Sequence, residues 1–188
     1  MSSHQGLNIG PLLTQYEPDH LITKLYQSVE LGGNGARYSI AHAEAARRHG
    51  CTVGGYVWLY AGIDGAIQVA DALETAQLAG INISLNNPLW LDCEDYTDGT
   101  YPSLDTIRQA VDECHSRGTA CGIYTGMWWW TDKAQDSHEF SYLPLWAAVY
   151  DGEATLIDPG FGGWTECAGH QYSGNPIDRS VFRAEFAS

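Results

Sequence analysis

The stretch PLWLDCED at residues 88–95 decides how this chain is interpreted. Apolar residues lead into the acids Asp92 and Glu94, which is typical of a buried strand that ends at a polar edge. Alternate residues of a strand point to one face, so the two carboxylates share a face and stand about 6.6–6.8 Å apart along the strand. Burial of acids in this position costs folding free energy unless water solvates them, so unsolvated acids here indicate a function.

Two carboxylates on one face indicate acid–base chemistry. Like charges that crowd each other raise the pKa of one carboxyl, which prepares it to stay protonated as a general acid. Glycoside hydrolysis needs such a pair. The same letters are also consistent with a strand that ends in an acidic loop, DCEDYTD at residues 92–98. Asp95 is expected on the other face and Asp98 in the turn, so both rank below Asp92 and Glu94.

Short apolar runs alternate with helix-like stretches on both sides of this strand. Gly50, Gly80 and Gly118 stand where predicted helices end, and Ser103 is placed to cap the start of one. The predicted strands are 21–26, 52–60, 87–94, 120–125 and 145–150, and the predicted helices are 39–49, 64–79 and 103–117. This alternation is typical of β-α-β units with a parallel sheet.

The missing motifs favour a barrel over an open nucleotide-binding sheet. Neither the G-x-G-x-x-G fingerprint nor the P-loop pattern occurs in the chain. After Gly126 the helical signal fades and glycine and aromatic residues take over, so Trp128–Trp130 is placed in a loop. We therefore predict one α/β domain over residues 1–188, an irregular, TIM-like (β/α) barrel whose last third has more strand and loop than helix.

Composition disfavours some partners and suggests another. The formal net charge is −14, from 9 Lys and Arg against 23 Asp and Glu, which disfavours nucleic acid and anionic membranes. No apolar run approaches the ~20 residues that a membrane helix needs. Seven Trp and eleven Tyr against four Phe indicate a cleft where sugar rings stack on aromatic faces, with a Trp-rich core as the alternative. Trp128–Trp130 either reaches a ligand or packs against the barrel rim.

Cysteine and histidine usage gives no sign of metal or nucleophilic catalysis. The five cysteines contain no C-x-x-C pair and are expected to be mostly reduced and buried, although Cys114 and Cys121 could pair. Neither an H-E-x-x-H motif nor a G-x-S-x-G elbow occurs. We expect no metal and no cofactor. The N-terminus has no signal-peptide pattern, so synthesis in a reducing cytoplasm is expected.

Four stretches, in this order, resemble the family 25 glycoside hydrolases, the Chalaropsis-type lysozymes common among phage endolysins. They are LWLDCE at 89–94, CGIYTG at 121–126, LPLWAAVY at 143–150 and HQYSGNPIDRSVF at 170–182. GYVWLY at 55–60 is similar to the family's second aromatic strand, and SSHQG at 2–6 is similar to its opening motif, an Asp followed by x-S-x-x-Q. The resemblance runs over nearly the whole chain.

The resemblance implies an activity and a set of site residues. Glu94 resembles the general acid, Asp92 its partner that stabilises the transition state or holds the substrate amide, and Asp178 the C-terminal site carboxylate. The residues that resemble the cleft lining are Tyr56, Trp58, Tyr124, Trp146 and Gln171. The implied reaction is hydrolysis of the β-1,4 bond between N-acetylmuramic acid and N-acetylglucosamine in peptidoglycan, by a retaining, inverting or substrate-assisted route. A phage-encoded protein that acts at the bacterial cell wall is expected.

One position departs from the family pattern. The Asp that opens the family motif would stand two residues before Ser2, which falls before Met1. Asn8 is a possible stand-in, although it leaves few residues before the strand at Leu21. We therefore expect a shortened first strand. The alternative function is a catalytically impaired sugar-binding or virion-associated module that keeps the barrel.

Overall fold

In the part of the chain that the structure describes, seven strands form one sheet, and their order in the sheet is their order in the chain. The computed structural model describes residues 9–26, 35–175 and 177–186. The strands are β1 His20–Tyr26, β2 Thr52–Trp58, β3 Leu89–Asp92, β4 Cys121–Thr125, β5 Leu145–Ala148, β6 Gly169–Ser173 and β7 Arg179–Phe182. The helices are α1 Gly10–Tyr16, α2 Gly35–Arg48, α3 Gly65–Leu78, α4 Leu104–Ser116 and α5 Met127–Lys133, and a 3-10 turn spans Ala184–Phe186.

Strand direction decides which ends of the strands meet. Neighbouring strands from β1 to β6 are parallel, and β7 runs antiparallel to β6. The carboxyl ends of the first six strands therefore lie at the same edge as the amino end of β7. Functional side chains of parallel α/β proteins concentrate at that edge, because the loops that follow the strands meet there.

The sheet curls around its own inner face. Side chains from β1 to β7 pack into one cluster whose buried members include Trp90, Tyr124 and Trp146. The rings of His20 on β1 and Phe182 on β7 have centroids only 6.4 Å apart. Within the described residues no hydrogen-bond ladder joins β1 to β7, so the sheet is a half-barrel there. The predicted α/β class is confirmed, and a closed TIM-like barrel is not shown.

Capping explains where the predicted helices begin. The Asp64 carboxylate accepts a hydrogen bond from the Ala66 amide over 2.8 Å, and the Ser103 hydroxyl accepts one from the Thr106 amide over 3.1 Å. Helices α3 and α4 then pack closely, since a Cβ on Gly65 would lie 2.1 Å from the Thr106 carbonyl oxygen. The helices predicted over 64–79 and 103–117 are confirmed within a residue or two at each end.

The structure corrects the prediction of a loop at the three tryptophans. Helix α5 spans Met127–Lys133, and it buries Trp129 and Trp130 against the core. The Trp129 indole N–H donates to Asp95 Oδ1, and the Trp130 indole N–H donates to the Ser137 carbonyl oxygen, each over 2.9 Å. Trp128 stays 62% exposed. Seven residues are too few for helical periodicity to be recognised in a sequence. Helix α1 also has seven residues, and the sequence analysis did not predict it for the same reason.

All five cysteines lie within the described residues, and they are buried and free as predicted. Cys114 and Cys121 touch through a thiol hydrogen bond without forming a disulfide. No helix in the described part of the chain is both long and apolar enough to cross a membrane. The opening motif at residues 2–6 and Asn8 lie outside the described residues.

Candidate active site

Three acids from two distant parts of the sequence meet at the carboxyl edge of the sheet. Asp92 is the last residue of β3, and Glu94 follows two residues later. Asp178 directly precedes β7, whose antiparallel course places its start at the same edge. The Asp178 charge raises the pKa values of both Asp92 and Glu94, so the three carboxyl groups lie within one electrostatic field.

Asp92 is the most buried of the three acids, with 3% of its surface exposed. Its Oδ1 atom is buried without a hydrogen-bond partner among the described residues. Burial raises the pKa of Asp92 well above its ordinary value, the Glu94 charge raises it further, and Lys24 opposes both. More than nine in ten buried polar groups find a partner, so an unpartnered carboxylate oxygen indicates a group prepared for a ligand.

Glu94 lies at the boundary between the core and the cleft. It is partly buried, and desolvation raises its pKa to about 7, helped by the charges of Asp178 and Asp95 and opposed by Lys24. A carboxyl group with a pKa near neutrality can hold a proton and still release it during a reaction. Of the two acids that the sequence predicted on one face, Glu94 is the one whose carboxyl group is accessible from the cleft, since Asp92 is almost fully buried.

A chain of hydrogen bonds connects Asp178 to the aromatic side of the site. The Tyr124 hydroxyl donates to Gln171 Oε1 over 2.5 Å, and the Gln171 side chain hydrogen-bonds the Asp178 carboxylate. That bond lowers the pKa of Asp178, although desolvation raises it more. The Tyr150 hydroxyl hydrogen-bonds the Tyr124 hydroxyl. Asp178 is thus oriented from β4 and β6 even though its own segment is exposed.

Lys24 joins the site, and the sequence analysis missed it. Its Nζ atom lies 4.2 Å from the centroid of the Trp58 ring and 5.5 Å from that of the Tyr56 ring. Burial lowers the pKa of Lys24, while Asp92 and Glu94 raise it. A single Lys in the strand HLITKLY at 20–26 has no motif around it, although a charge two residues from Ile22 on the inner face is a weak signal.

Aromatic rings line the edge on both sides of the acids. Trp58 packs against Tyr96 at 4.8 Å between centroids, and Tyr96 against Tyr60 at 4.5 Å. On the other side, the exposed ring of Tyr150 lies beside Tyr124, and Trp128 is exposed at the start of α5, directly after β4. Trp90, Trp129 and Trp130 belong to the core, while other rings flank the acids, and stacking of sugars on those rings stays a prediction. Tyr96 carries no signal of its own in the sequence.

Trp146 occupies a different place from the other predicted lining residues. It is buried beneath Tyr124, with ring centroids 4.6 Å apart, and its indole N–H donates to the Ser180 hydroxyl over 3.1 Å. The charges of Asp92 and Glu94 raise the pKa values of Tyr56 and Tyr124. Trp58 lies under the Lys24 ammonium group, and Gln171 hydrogen-bonds Asp178. The structure brings all eight predicted site residues to one region, and their roles toward a substrate stay predictions.

A metal ion has no evident ligand set in this part of the molecule. Across residues 9–26, 35–175 and 177–186, no group of three or more His, Cys, Asp or Glu side chains is arranged to hold one. The site can instead provide a proton donor, two further carboxylates, one cation and a set of aromatic faces. This is a suitable arrangement for acid-assisted cleavage of a bond in a sugar chain.

Comparison with known proteins identifies relatives across most of the chain. The family model described as "Glycosyl hydrolases family 25" matches residues 34–181. "Counting factor 50" of Dictyostelium discoideum is 30% identical over 131 residues, which cover 64% of this chain and 42% of that protein. "Probable GH family 25 lysozyme 3" of the same organism is 28% identical over 159 residues, covering 80% and 32%. The chain thus spans well under two thirds of the length of these relatives.

Solved structures share the fold at low sequence identity. A muramidase from Acremonium alcalophilum matches with a TM-score of 0.69 at 21% identity, covering 93% of this chain and 86% of that one. A family GH25 lysozyme from Aspergillus fumigatus gives 0.65 at 21%, covering 90% and 85%. The autolysin LytC from Streptococcus pneumoniae, in complex with a synthetic peptidoglycan ligand, gives 0.65 at 18%, covering 95% and 42%.

Proposed function

This chain belongs to glycosyl hydrolases family 25, and on that premise we propose that it cleaves peptidoglycan as a muramidase. The bond cleaved is the β-1,4 linkage between N-acetylmuramic acid and N-acetylglucosamine, and Glu94 is the general acid. The observation that carries the proposal is the meeting of Asp92, Glu94 and Asp178 at the carboxyl edge of the sheet, where Asp92 is nearly fully buried and burial raises the pKa of Glu94 to about 7. Two carboxylates in unlike surroundings are what glycoside hydrolysis requires.

Each acid has a separate role in the proposed reaction. Glu94 protonates the glycosidic oxygen as the bond breaks, which allows the leaving sugar to depart as a neutral alcohol. Asp92 and Asp178 then face the positive charge that develops on the sugar ring, where carboxylates lower the barrier electrostatically. The unpartnered Asp92 Oδ1 can also accept a hydrogen bond from the acetamido N–H of the substrate.

Aromatic rings supply the binding energy for a sugar chain. The apolar faces of pyranose rings stack on Tyr and Trp, and both residue types flank the acids here. The Trp58 indole N–H is buried without a partner among the described residues, so it is available to a substrate hydroxyl. The peptidoglycan ligand in the solved complex of the LytC autolysin supports this class of substrate.

A second candidate is a sugar-binding module without catalysis, including one carried by a virion. We keep this candidate because one of the relatives, "Counting factor 50", is not named as a lysozyme. This candidate keeps the aromatic groove and predicts binding to the wall without bond cleavage.

Cleavage of purified peptidoglycan tests the proposal. Wild-type protein should release new reducing ends that become muramitol after borohydride reduction, and Glu94→Gln should lower the rate by about 1,000-fold through loss of the acid. Glu74→Gln makes the same substitution on the outer helix α3 and should retain full activity. Retention on sedimented walls without any release of reducing sugar would favour the binding module, and glucosaminitol as the product would overturn the choice of bond.

A further inference from the structure

His170 on β6 is fully buried, and both nitrogens of its ring face backbone carbonyl oxygens. Its Nδ1 atom lies 2.6 Å from the Thr155 carbonyl oxygen, and its Nε2 atom lies 2.8 Å from the Val149 carbonyl oxygen. A carbonyl oxygen can only accept a hydrogen bond, and a neutral imidazole has a single N–H group to donate. In the neutral ring, one of the two contacts would therefore set a nitrogen lone pair against an oxygen lone pair. Only the imidazolium form, with its two N–H groups, satisfies both contacts.

The charges around the ring agree with the imidazolium form. The Asp151 carboxylate faces the ring, with Oδ1 3.6 Å from Nε2 of His170. The Tyr172 ring on the same strand meets the imidazole in a T-shaped arrangement at 6.2 Å between centroids, and the Arg179 guanidinium lies 5.4 Å from the centroid of that Tyr ring. The residues that pair with His170 on the neighbouring strands are uncharged, Ala147 on β5 and Val181 on β7. Burial disfavours a charged ring, whereas two carbonyl acceptors and a carboxylate at this distance favour it.

The ring of His170 holds the two ends of one stretch of chain, residues 149–155, which we call the 149–155 segment. The segment is exposed beyond Val149, and the carbonyl groups at its two ends, those of Val149 and Thr155, face the buried ring. Backbone hydrogen bonds also join its first half to β6, from the amides of Val149 and Gly152. The contact at Thr155 is made by the imidazole. One buried side chain thus connects the far end of an exposed segment to the sheet.

The 149–155 segment carries Tyr150, which borders the proposed site. A Cβ placed on Gly174 would lie 3.4 Å from the Tyr150 ring and 3.4 Å from Asp178 Oδ1, so the ring and the carboxylate border the same point. The Tyr150 hydroxyl also hydrogen-bonds the Tyr124 hydroxyl. Tyr150 is 62% exposed, which leaves its ring accessible to a sugar. Because Val149 directly precedes Tyr150, a shift of the Val149 carbonyl group moves this ring at the edge of the cleft.

We propose that His170 is a positioning residue of the hydrolase site. As an imidazolium, it binds both ends of the 149–155 segment and so holds Tyr150 beside Asp178 for contact with the sugar chain. The inference rests on the proposed function for its meaning, because the positioned ring borders that site. When the imidazolium loses a proton as pH rises, one of the two carbonyl groups loses its donor and the segment loosens. Sugar binding should then weaken, whereas the acids on and after β3 keep their places.

NMR measures the protonation of the ring without catalysis. In ¹⁵N-labelled protein at pH 7, we expect one-bond N–H couplings at both His170 nitrogens and ¹⁵N shifts close to those of imidazolium. A histidine model peptide at the same pH is the reference, since the ordinary histidine pKa of about 6.5 leaves it mostly neutral. A His170 ring with one protonated and one unprotonated nitrogen at pH 7 would overturn the proposal.

The variant Asp151→Asn tests the charge beside the ring and keeps the local backbone. The Asp151 side chain also accepts a hydrogen bond from the Glu153 amide over 2.9 Å, and an asparagine oxygen can accept the same bond. Loss of the charge should lower the pH at which His170 becomes neutral by about one unit. Asp158→Asn is the matched control, because Asp158 Oδ1 accepts from the Gly160 amide in a similar turn and joins none of the ion pairs of the described residues. An unshifted His170 in Asp151→Asn contradicts the proposal, and this variant covers the case in which changes at His170 prevent folding.

Kinetics on soluble peptidoglycan fragments test the role of the ring in the reaction. His170→Gln should raise KM by about 10-fold while kcat stays within about twofold, which is the pattern of lost binding rather than lost chemistry. Tyr150→Ala should raise KM similarly, and the double variant should add little, since both changes remove the same contact. An unchanged KM in folded His170→Gln, or a fall in kcat alone, contradicts the proposal. If wild-type protein cleaves no fragment, the proposed function fails, and the NMR measurements still decide whether His170 is an imidazolium.

Discussion

The acids on the outer surface and the acids at the carboxyl edge have the same chemistry and opposite surroundings. On the outside, Glu139 pairs with Arg108 over 2.7 Å and Glu113 with Arg117 over 2.5 Å. At the edge, Asp92 and Glu94 share the through-space field of Lys24 and take part in none of the ion pairs of the described residues.

The difference in surroundings sets the protonation of each group. The Glu166 carboxyl on the surface has its pKa lowered by Arg183, 2.6 Å away, whereas burial and like charges raise the pKa values of Asp92 and Glu94. Exposed pairs contribute little to stability because water already solvates both partners. The edge acids carry a desolvation cost that the fold tolerates, and a cost of this kind is typical of a functional site.

The largest expected difference between the two regions is in activity. Asp92→Asn should lower the rate of peptidoglycan cleavage by about 100-fold or more, because a neutral amide stabilises a positive transition state poorly. Asp105→Asn, on the exposed first turn of α4, should leave the rate unchanged. Rates of reducing-sugar release compare the two variants.

Asp92→Asn should also separate activity from stability. The folded pKa of Asp92 is raised, so its contribution to stability is full below the unfolded pKa and is lost as pH rises. The asparagine variant avoids that loss, and its Tm at alkaline pH should be no lower than that of wild type. A variant that is inactive and clearly less stable at alkaline pH would show that Asp92 is structural.

The next effect in size is the dependence of stability on pH. Burial raises the pKa of Glu94 from 4.5 to about 7, so its contribution is fully present below 4.5 and disappears as pH rises through 7. Wild type should therefore lose on the order of 2 kcal/mol of unfolding free energy relative to Glu94→Gln across this window. Urea denaturation at several pH values measures the difference. A difference that does not change with pH would contradict the raised pKa.

The smallest effect is expected on the outside. Arg108→Met removes the ion pairs with Asp105 and Glu139, which are exposed to solvent and screened by salt. We expect no resolvable change in Tm at physiological salt and no change in the pH profile of activity. A loss of activity in this variant would remove the distinction between the two regions.

Much of the fold could be predicted because its signals are local. Apolar runs that end at glycine or polar residues predicted β1 to β5, and caps such as Ser103 predicted the long helices. Helix α5 could not be predicted, because burial of Trp129 and Trp130 against distant core residues stabilises it, while its own sequence has a weak helical pattern. Closure of the barrel could not be decided either, because it depends on which strands meet at the ends of the sheet.

The sequence by itself determined the acids of the site and the family to which they belong. Alternation along a strand is a local property and predicted Asp92 and Glu94 together, although β3 ends at Asp92, and the ordered motifs added Asp178 from the far end of the chain. Only the tertiary structure decided the pKa values of those acids. The pKa of a carboxyl group depends on water and charge within a few ångströms, and β1 brings Lys24 to Asp92 through a fold that no single stretch of sequence encodes.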